Sequence, residues 1–119
     1  MSEHIQLLLP WPPSVNHYWR ANGNRRFISK EGMNFRATVS DICAEQGVKT
    51  LYGRLAVHVA VFPPDRRVRD LDNLGKAIFD SLEHAGCYDS DGQIDEIHIF
   101  RKQVQPGGAC TVLIIEINP

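Results

Sequence analysis

The sequence predicts a mixed α/β (α+β) domain: a small mixed sheet of about four strands carrying two main helices, in the order β-α-β-α-β-β. Three observations carry that expectation. Apolar residues alternate, or run together, near residues 5–9, 55–62, 94–102 and 111–117, as strands require. Two other stretches, 30–46 and 71–85, repeat apolar residues every three or four positions, the period of a helix packed on one side. Clusters of Pro, Gly, Asn and Asp punctuate the boundaries between them. At 119 residues and 43% hydrophobic, the whole chain 1–119 reads as a single globular domain.

The elements follow in order. Ile5, Leu7 and Leu9 alternate before Pro10 stops the ladder, giving a short first strand. The next seventeen residues, PWPPSVNHYWRANGNRR, are expected to form an irregular loop, and loops of that length in small domains usually serve function. Ser29 then reads as the N-cap of the first helix, with Ile28 and Met33 stapled across it and Gly47 as terminator. Leu55, Val57, Val59 and Val61 alternate with Ala56, His58, Ala60 and Phe62, a strand packed on both faces and ended by Pro63 and Pro64. Leu71, Leu74, Ile78, Leu82 and Ala85 mark the second helix, closed by Gly86. After the turn DSDG come a strand over 94–102, the turn Pro106–Gly108 and a last strand, TVLIIEI, and these two strands are expected to pair as an antiparallel hairpin.

Several function classes find no support. The start, MSEHIQLLLPWPP, has neither a basic lead nor a long apolar run, so the chain reads as cytosolic (cytoplasmic), with no membrane partner. Cys43, Cys87 and Cys110 have neither zinc spacing nor an even count for disulfides, and read as buried thiols. The five scattered histidines include no helical metal pair, and no Ser/His/Asp or Cys/His nucleophile system is visible.

Net charge is −1, which does not announce a nucleic-acid binder, but its distribution is uneven. Residues 1–69 hold ten basic and five acidic side chains, whereas residues 70–119 hold three basic and nine acidic. A basic half beside an acidic half suits a protein that docks phosphates on one surface and a cation on another. Arg20, Arg25, Arg26, Lys30 and Arg36 are candidates for the basic surface, with Tyr18 or Trp19 available to stack on exposed bases or to pack on the first helix.

The run Arg69-Asp70-Leu71-Asp72-Asn73-Leu74-Gly75-Lys76 concentrates the chemistry. Asp70 suits an N-cap, Asp72 falls in the first helical turn, and Lys76 lies one turn further on the same face. A plain cap and a helical Asp–Lys pair would leave the same pattern. Arg66, Arg67 and Arg69 directly precede the acids, however, and cations beside anions at a helix start suit a phosphate approaching a metal. Asp89 and Asp91 stand in the turn beyond the helix; Asp91-Gly92 is also an ordinary turn, and Asp91 rejoins Asp70 only if the chain folds back. Converging carboxylates would present hard oxygen ligands suited to Mg²⁺, with Mn²⁺ an alternative.

These residues resemble the RusA family of Holliday junction resolvases. PWPPSVNHYWR is similar to the family's opening strand and Pro-Pro-Ser-x-Asn loop, PPDRRVRDLDNLGKAIFDSL to its central signature, and DSDGQI to its second acidic turn. The resemblance implies a homodimer that makes paired nicks in a four-way DNA junction in a Mg²⁺-dependent reaction, with no small-molecule cofactor. It implies metal-binding roles for Asp70, Asp72 and Asp91 and a catalytic basic role for Lys76. Arg69 and Asn73 become substrate contacts, with Arg66, Arg67, Asn16 and Arg20 as further nucleic-acid-binding candidates. Two other readings stay open: a non-catalytic branched-DNA-binding dimer, and a metal-dependent nuclease for flaps and other branched DNA.

Overall fold

The computed structural model describes residues 3–117; Met1 and Ser2, which begin the segment MSEHIQLLLPWPP, and Asn118 and Pro119 lie outside the described residues. Strand β1 (His4–Leu9) leads through the short helix α1 (Val15–Tyr18) into strands β2 (Trp19–Asn22) and β3 (Arg25–Ile28). Helix α2 (Lys30–Gln46), strand β4 (Arg54–Phe62), helix α3 (Asp72–His84), strand β5 (Ile94–Arg101) and strand β6 (Ala109–Ile117) complete the chain. The main sheet has the order β1-β6-β4-β5, with β2 and β3 forming a separate antiparallel pair.

The core forms where the two periodicities meet. Every second residue of the strands, including Ile5, Leu7, Leu55, Val57, Val59, Val112 and Ile114, turns toward the stripes Phe35, Val39 and Cys43 of α2 and Leu74, Ile78 and Leu82 of α3. Full burial of one such side chain stabilises the fold by about 1.5–3 kcal/mol, so the sheet and both helices stand or fall together. The helix ends agree with their sequence signals. The Ser29 hydroxyl accepts the Gly32 N–H at 2.9 Å, and Gly47 terminates α2 with φ at 65°, a conformation that favours glycine. Met33, however, is 60% exposed, while its expected staple partner Ile28 packs against the core. All three cysteines are buried free thiols; Cys43 and Cys87 lie 3.6 Å apart, and burial pushes the Cys110 thiol up to about 12.

Two expectations fail. The last two strands do not form a hairpin, because β4 lies between them, antiparallel to β6 and parallel to β5. The most apolar strand takes a central place, flanked on both sides, whereas β5, mostly exposed, goes to the edge. The supposed loop after Pro10 is also structured. Asn22 pairs with Arg25 across the two-residue turn Gly23-Asn24, in which Gly23 has φ at 64°, so a glycine-first turn closes a β-hairpin.

Candidate active site

The unit β4–α3–β5 sets the geometry of every candidate residue. Parallel strands require α3 to run back along the sheet, so the residues entering the helix and those leaving it lie at opposite ends. Asp70 and Asp72 stand at the head of α3, beside the end of β4. There Arg101, at the end of β5, donates to the Arg69 carbonyl. Asp91 stands at the tail, beside the start of β5. After α3 the chain turns back along it, so that the Asp91 N–H meets Glu83 and its carboxyl feels the charges of Lys76 and Asp80. Among the described residues no three Asp, Glu, His or Cys side chains form a group that could hold one ion, Asp70, Asp72 and Asp91 included.

At the head, the expected cap is absent. Leu71, already helical in conformation, precedes α3, and the Asp70 backbone carbonyl, not its carboxylate, accepts the Asn73 N–H at 3.2 Å. That leaves the Asp70 and Asp72 side chains exposed and turned outward. Asp70, Asn73 and Arg69 line a groove of about 500 Å³ against Trp11, Pro12, Pro13, Ser14 and His17. Ser14 and His17, whose Oγ and Nδ1 lie 3.0 Å apart, therefore join this site although the sequence did not single them out. Asn16, on α1, is exposed and does not line the groove.

The three arginines before the acids are unequal. Arg69 lies 2.8 Å from Asp65 and its guanidinium is 5.5 Å from the centre of the Trp11 ring, so it is held in place and partly neutralised. Arg67 stands 3.8 Å from the same Asp65, while Arg66 makes no ion pair among the described residues. Asp65, hydrogen-bonded by Arg69 and by the Arg67 backbone, is held below the usual carboxylate range.

Lys76 links head to tail. Asp72, Lys76, Asp80 and Glu83 succeed one another at three- and four-residue steps and so share one stripe of α3. Lys76 Nζ lies 5.6 Å from the centre of the Trp19 ring, which Arg26 also approaches at 5.0 Å. Below it, buried Tyr18 donates to the Asp80 carboxylate, which accepts Arg36 Nη2 at 2.6 Å. Desolvation pushes Asp80 up, but the hydrogen bonds from Tyr18 and Arg36 and the charges of Arg36 and Lys76 outweigh it and hold its carboxyl low. Tyr18 is thus unavailable for stacking on bases, and Arg36 is spent on Asp80 instead of serving a basic surface.

At the tail, Asp91 moves in the opposite direction. Partial burial first, then the neighbouring Glu83 carboxylate, push its carboxyl above the usual range, and Lys76 only partly offsets them. Glu83 Oε1 also accepts the Asp91 N–H at 3.0 Å. Gln93 fixes the turn: its Oε1 accepts the Asp89 and Ser90 N–H groups at 2.8 and 3.0 Å, and its Nε2 donates to the Leu51 and Gly53 carbonyls at 2.9 and 3.0 Å. Asp80 and Glu83 are absent from the residues singled out by sequence, although their spacing from Lys76 is a signal; Ser90-Asp91-Gly92-Gln93 is likewise a local capping-box signature for the Gln93 bond to Ser90, while nothing local points to its bonds to Leu51 and Gly53.

Fold and site together define a class: a small α+β protein with exposed carboxylates, a lysine and arginines gathered around the head of one helix. The family profile of Endodeoxyribonuclease RusA matches residues 10–116. A crossover junction endodeoxyribonuclease of Enterobacteria phage HK97 is 40% identical over 119 residues, 99% of this chain and 98% of its own length. Proteins of the same name from Shigella sonnei (strain Ss046) and Escherichia coli (strain K12) are each 38% identical over 113 residues, 94% of both chains. The chain belongs to the RusA family of endodeoxyribonucleases.

Proposed function

We propose that this protein resolves four-way DNA junctions by paired nicks, using Mg²⁺, or Mn²⁺ in its place, held by Asp70, Asp72 and Asp91. The observation that carries the reading is the head of α3: two outward carboxylates with no capping duty, one turn from Lys76, in a chain of this family. The donor set fits such an ion, since carboxylate oxygens are the ligands a hard divalent cation prefers. When bound, the ion supplies charge neutralisation at the phosphodiester and a lowered pKa for attacking water.

The chain's own groups divide the remaining work. Asp70, which lines the groove, and Asp72, exposed beside it, would hold the ion, and Asn73 and Arg69 line the same groove to receive the phosphate backbone. Lys76, steadied by the face of Trp19, places an ammonium where negative charge develops on the phosphate. Arg66, Arg67 and Arg20 serve as further backbone contacts, and Asn16, exposed on α1, reaches the substrate only from outside the groove. Asp91 returns along α3 as far as the field of Lys76, and in a homodimer the full ligand set would come either from one copy or from Asp91 of one copy beside Asp70 and Asp72 of the other. Two such sites would make the two nicks.

The test is a synthetic four-way junction incubated with wild type, Asp70→Asn or Asp72→Asn, with Mg²⁺ or with EDTA. The expected result is paired cutting by wild type with Mg²⁺ alone, and retarded but intact DNA with either variant. Retarded, intact DNA with wild type in Mg²⁺ would favour the non-catalytic binder. Equal rates on flap, junction and duplex would favour a general branched-DNA nuclease. Mixing Asp70→Asn with Asp91→Asn subunits should restore single nicks if the sites are shared; a dead mixture rules out sharing.

A further inference from the structure

The fold spends its cations unevenly. Arg36, Arg54, Arg67 and Arg69 are committed to Asp80, Asp95 and Asp65. Arg20, Arg25 and Arg26 form no ion pair among the described residues, and no acid occurs between Trp19 and Ile28. A chain with a net charge of −1 therefore carries a concentrated, uncompensated positive charge on a single element, the β2–β3 hairpin.

The register of that hairpin sorts its side chains. Arg20 pairs with Phe27 and Asn22 with Arg25, so these four share one face, while Trp19, Ala21, Arg26 and Ile28 share the other. Trp19 and Ile28 pack against the core, which turns the face of Arg20, Asn22, Arg25 and Phe27 toward solvent. All four are exposed, Phe27 by 49%, so its ring stands open beside the two arginines.

The root of the hairpin is firm. The Ser29 N–H donates to the Tyr18 carbonyl at 2.9 Å, and a Cβ on Gly32 would fall 2.6 Å from that carbonyl oxygen, so α2 and the hairpin base approach as closely as glycine allows. Trp19 packs edge-on against Tyr18 and holds Lys76 on its face, tying the ribbon directly to the proposed catalytic lysine.

We infer that the outward face of this hairpin is the arm that holds branched DNA beside the cutting site. Arg20 and Arg25, diagonal neighbours about 7–8 Å apart across the ribbon, contact successive phosphates. Phe27, opposite Arg20 and two residues along the strand from Arg25, stacks on a base left unpaired near the crossover. A two-stranded ribbon is narrow enough to enter a DNA groove. The inference rests on the junction-nuclease reading and explains how a slightly acidic chain grips a polyanion: the charge is local, and aimed.

The test measures binding of the full chain to a fluorescent four-way junction in EDTA across a salt series. Each lost phosphate contact lowers the slope of log K against log[salt] by about 0.9, so Arg20→Gln/Arg25→Gln should lower it by ~1.8. Arg20→Lys/Arg25→Lys, which keeps the charge, should retain most of the slope, and Arg54→Gln, which removes an arginine already paired with Asp95, should leave it intact. Phe27→Ala should keep the slope and weaken junction binding about tenfold, with a smaller loss on plain duplex. An unchanged slope in the double glutamine variant overturns the inference, as does a loss in Arg54→Gln of equal size. Failure of wild type to bind or cut the junction would instead bring down the reading on which it rests.

Discussion

Replacing Asp80 with Asn tests whether one carboxylate pins three helices. Asp80 on α3 receives Tyr18 from the end of α1 and Arg36 from α2, and its side chain and that of Arg36 are 24% and 23% exposed. Breaking a fully buried ion pair costs about 3–5 kcal/mol, and breaking an exposed one about 0–1, so a pair three-quarters buried falls near ~2 kcal/mol. Asparagine keeps an acceptor for Tyr18, which confines the loss to the charge opposite Arg36. For a chain of this length, 1 kcal/mol moves Tm by about 4 °C, so the expected drop is roughly 8 °C. Tyr18→Phe removes one charge-assisted hydrogen bond and should cost about 1.5 kcal/mol. The double variant should lose less than the two singles together, since both act on one carboxylate.

The same variant carries a pH signature. Asp80 titrates below its ordinary 3.8 when folded, so the unfolded chain takes up its proton first as pH falls. Its stabilisation is complete above that ordinary value and is lost as pH drops through the folded pKa. Circular-dichroism melts of both proteins should therefore differ by the full amount at pH 7 and converge as the pH falls below 3.8. A Tm within 2 °C of wild type at pH 7, or a gap undiminished by acid, would refute the reasoning.

Two further substitutions probe the ends of the site. Gly108 has φ at 69°, and a Cβ there would lie 2.8 Å from Cβ of Trp11, whose ring supports Arg69. Gly108→Ala should cost about 2 kcal/mol from backbone strain and crowding, read as a lower urea midpoint and a shifted tryptophan emission. Asp91 is held against Glu83 with its carboxyl pushed up, so the folded state bears repulsion that the unfolded chain escapes. Asp91→Asn should raise Tm by roughly 2 °C in metal-free buffer while ending cutting, the mark of a group placed for chemistry at the expense of stability. A lowered Tm would sink that account.

Much of this molecule is legible in the chain because the deciding forces are local. The stripe Leu74, Ile78 and Leu82, the cap at Ser29 and the stop at Gly47 depend on residues within a turn or two, and each stands where the sequence places it. So does the family signature, which is read residue by residue. The hairpin at Gly23-Asn24 is equally local; its turn signal lies inside a stretch whose prolines and mixed polarity hide the strands.

Partnerships across the chain obey a different rule. Periodicity tells a strand which face to bury but not which neighbour to take, and only the competition for the sheet's centre sets β4 between β5 and β6. The packed fold then brings Asp91 against Glu83, joins Tyr18 and Arg36 to Asp80 over sequence separations of 62 and 44, and leaves the hairpin arginines without ion-pair partners among the described residues. Side-chain chemistry is written in the order of residues. Which charges meet, and which are left in water, is settled by burial, since only the packed fold decides whose solvent is removed.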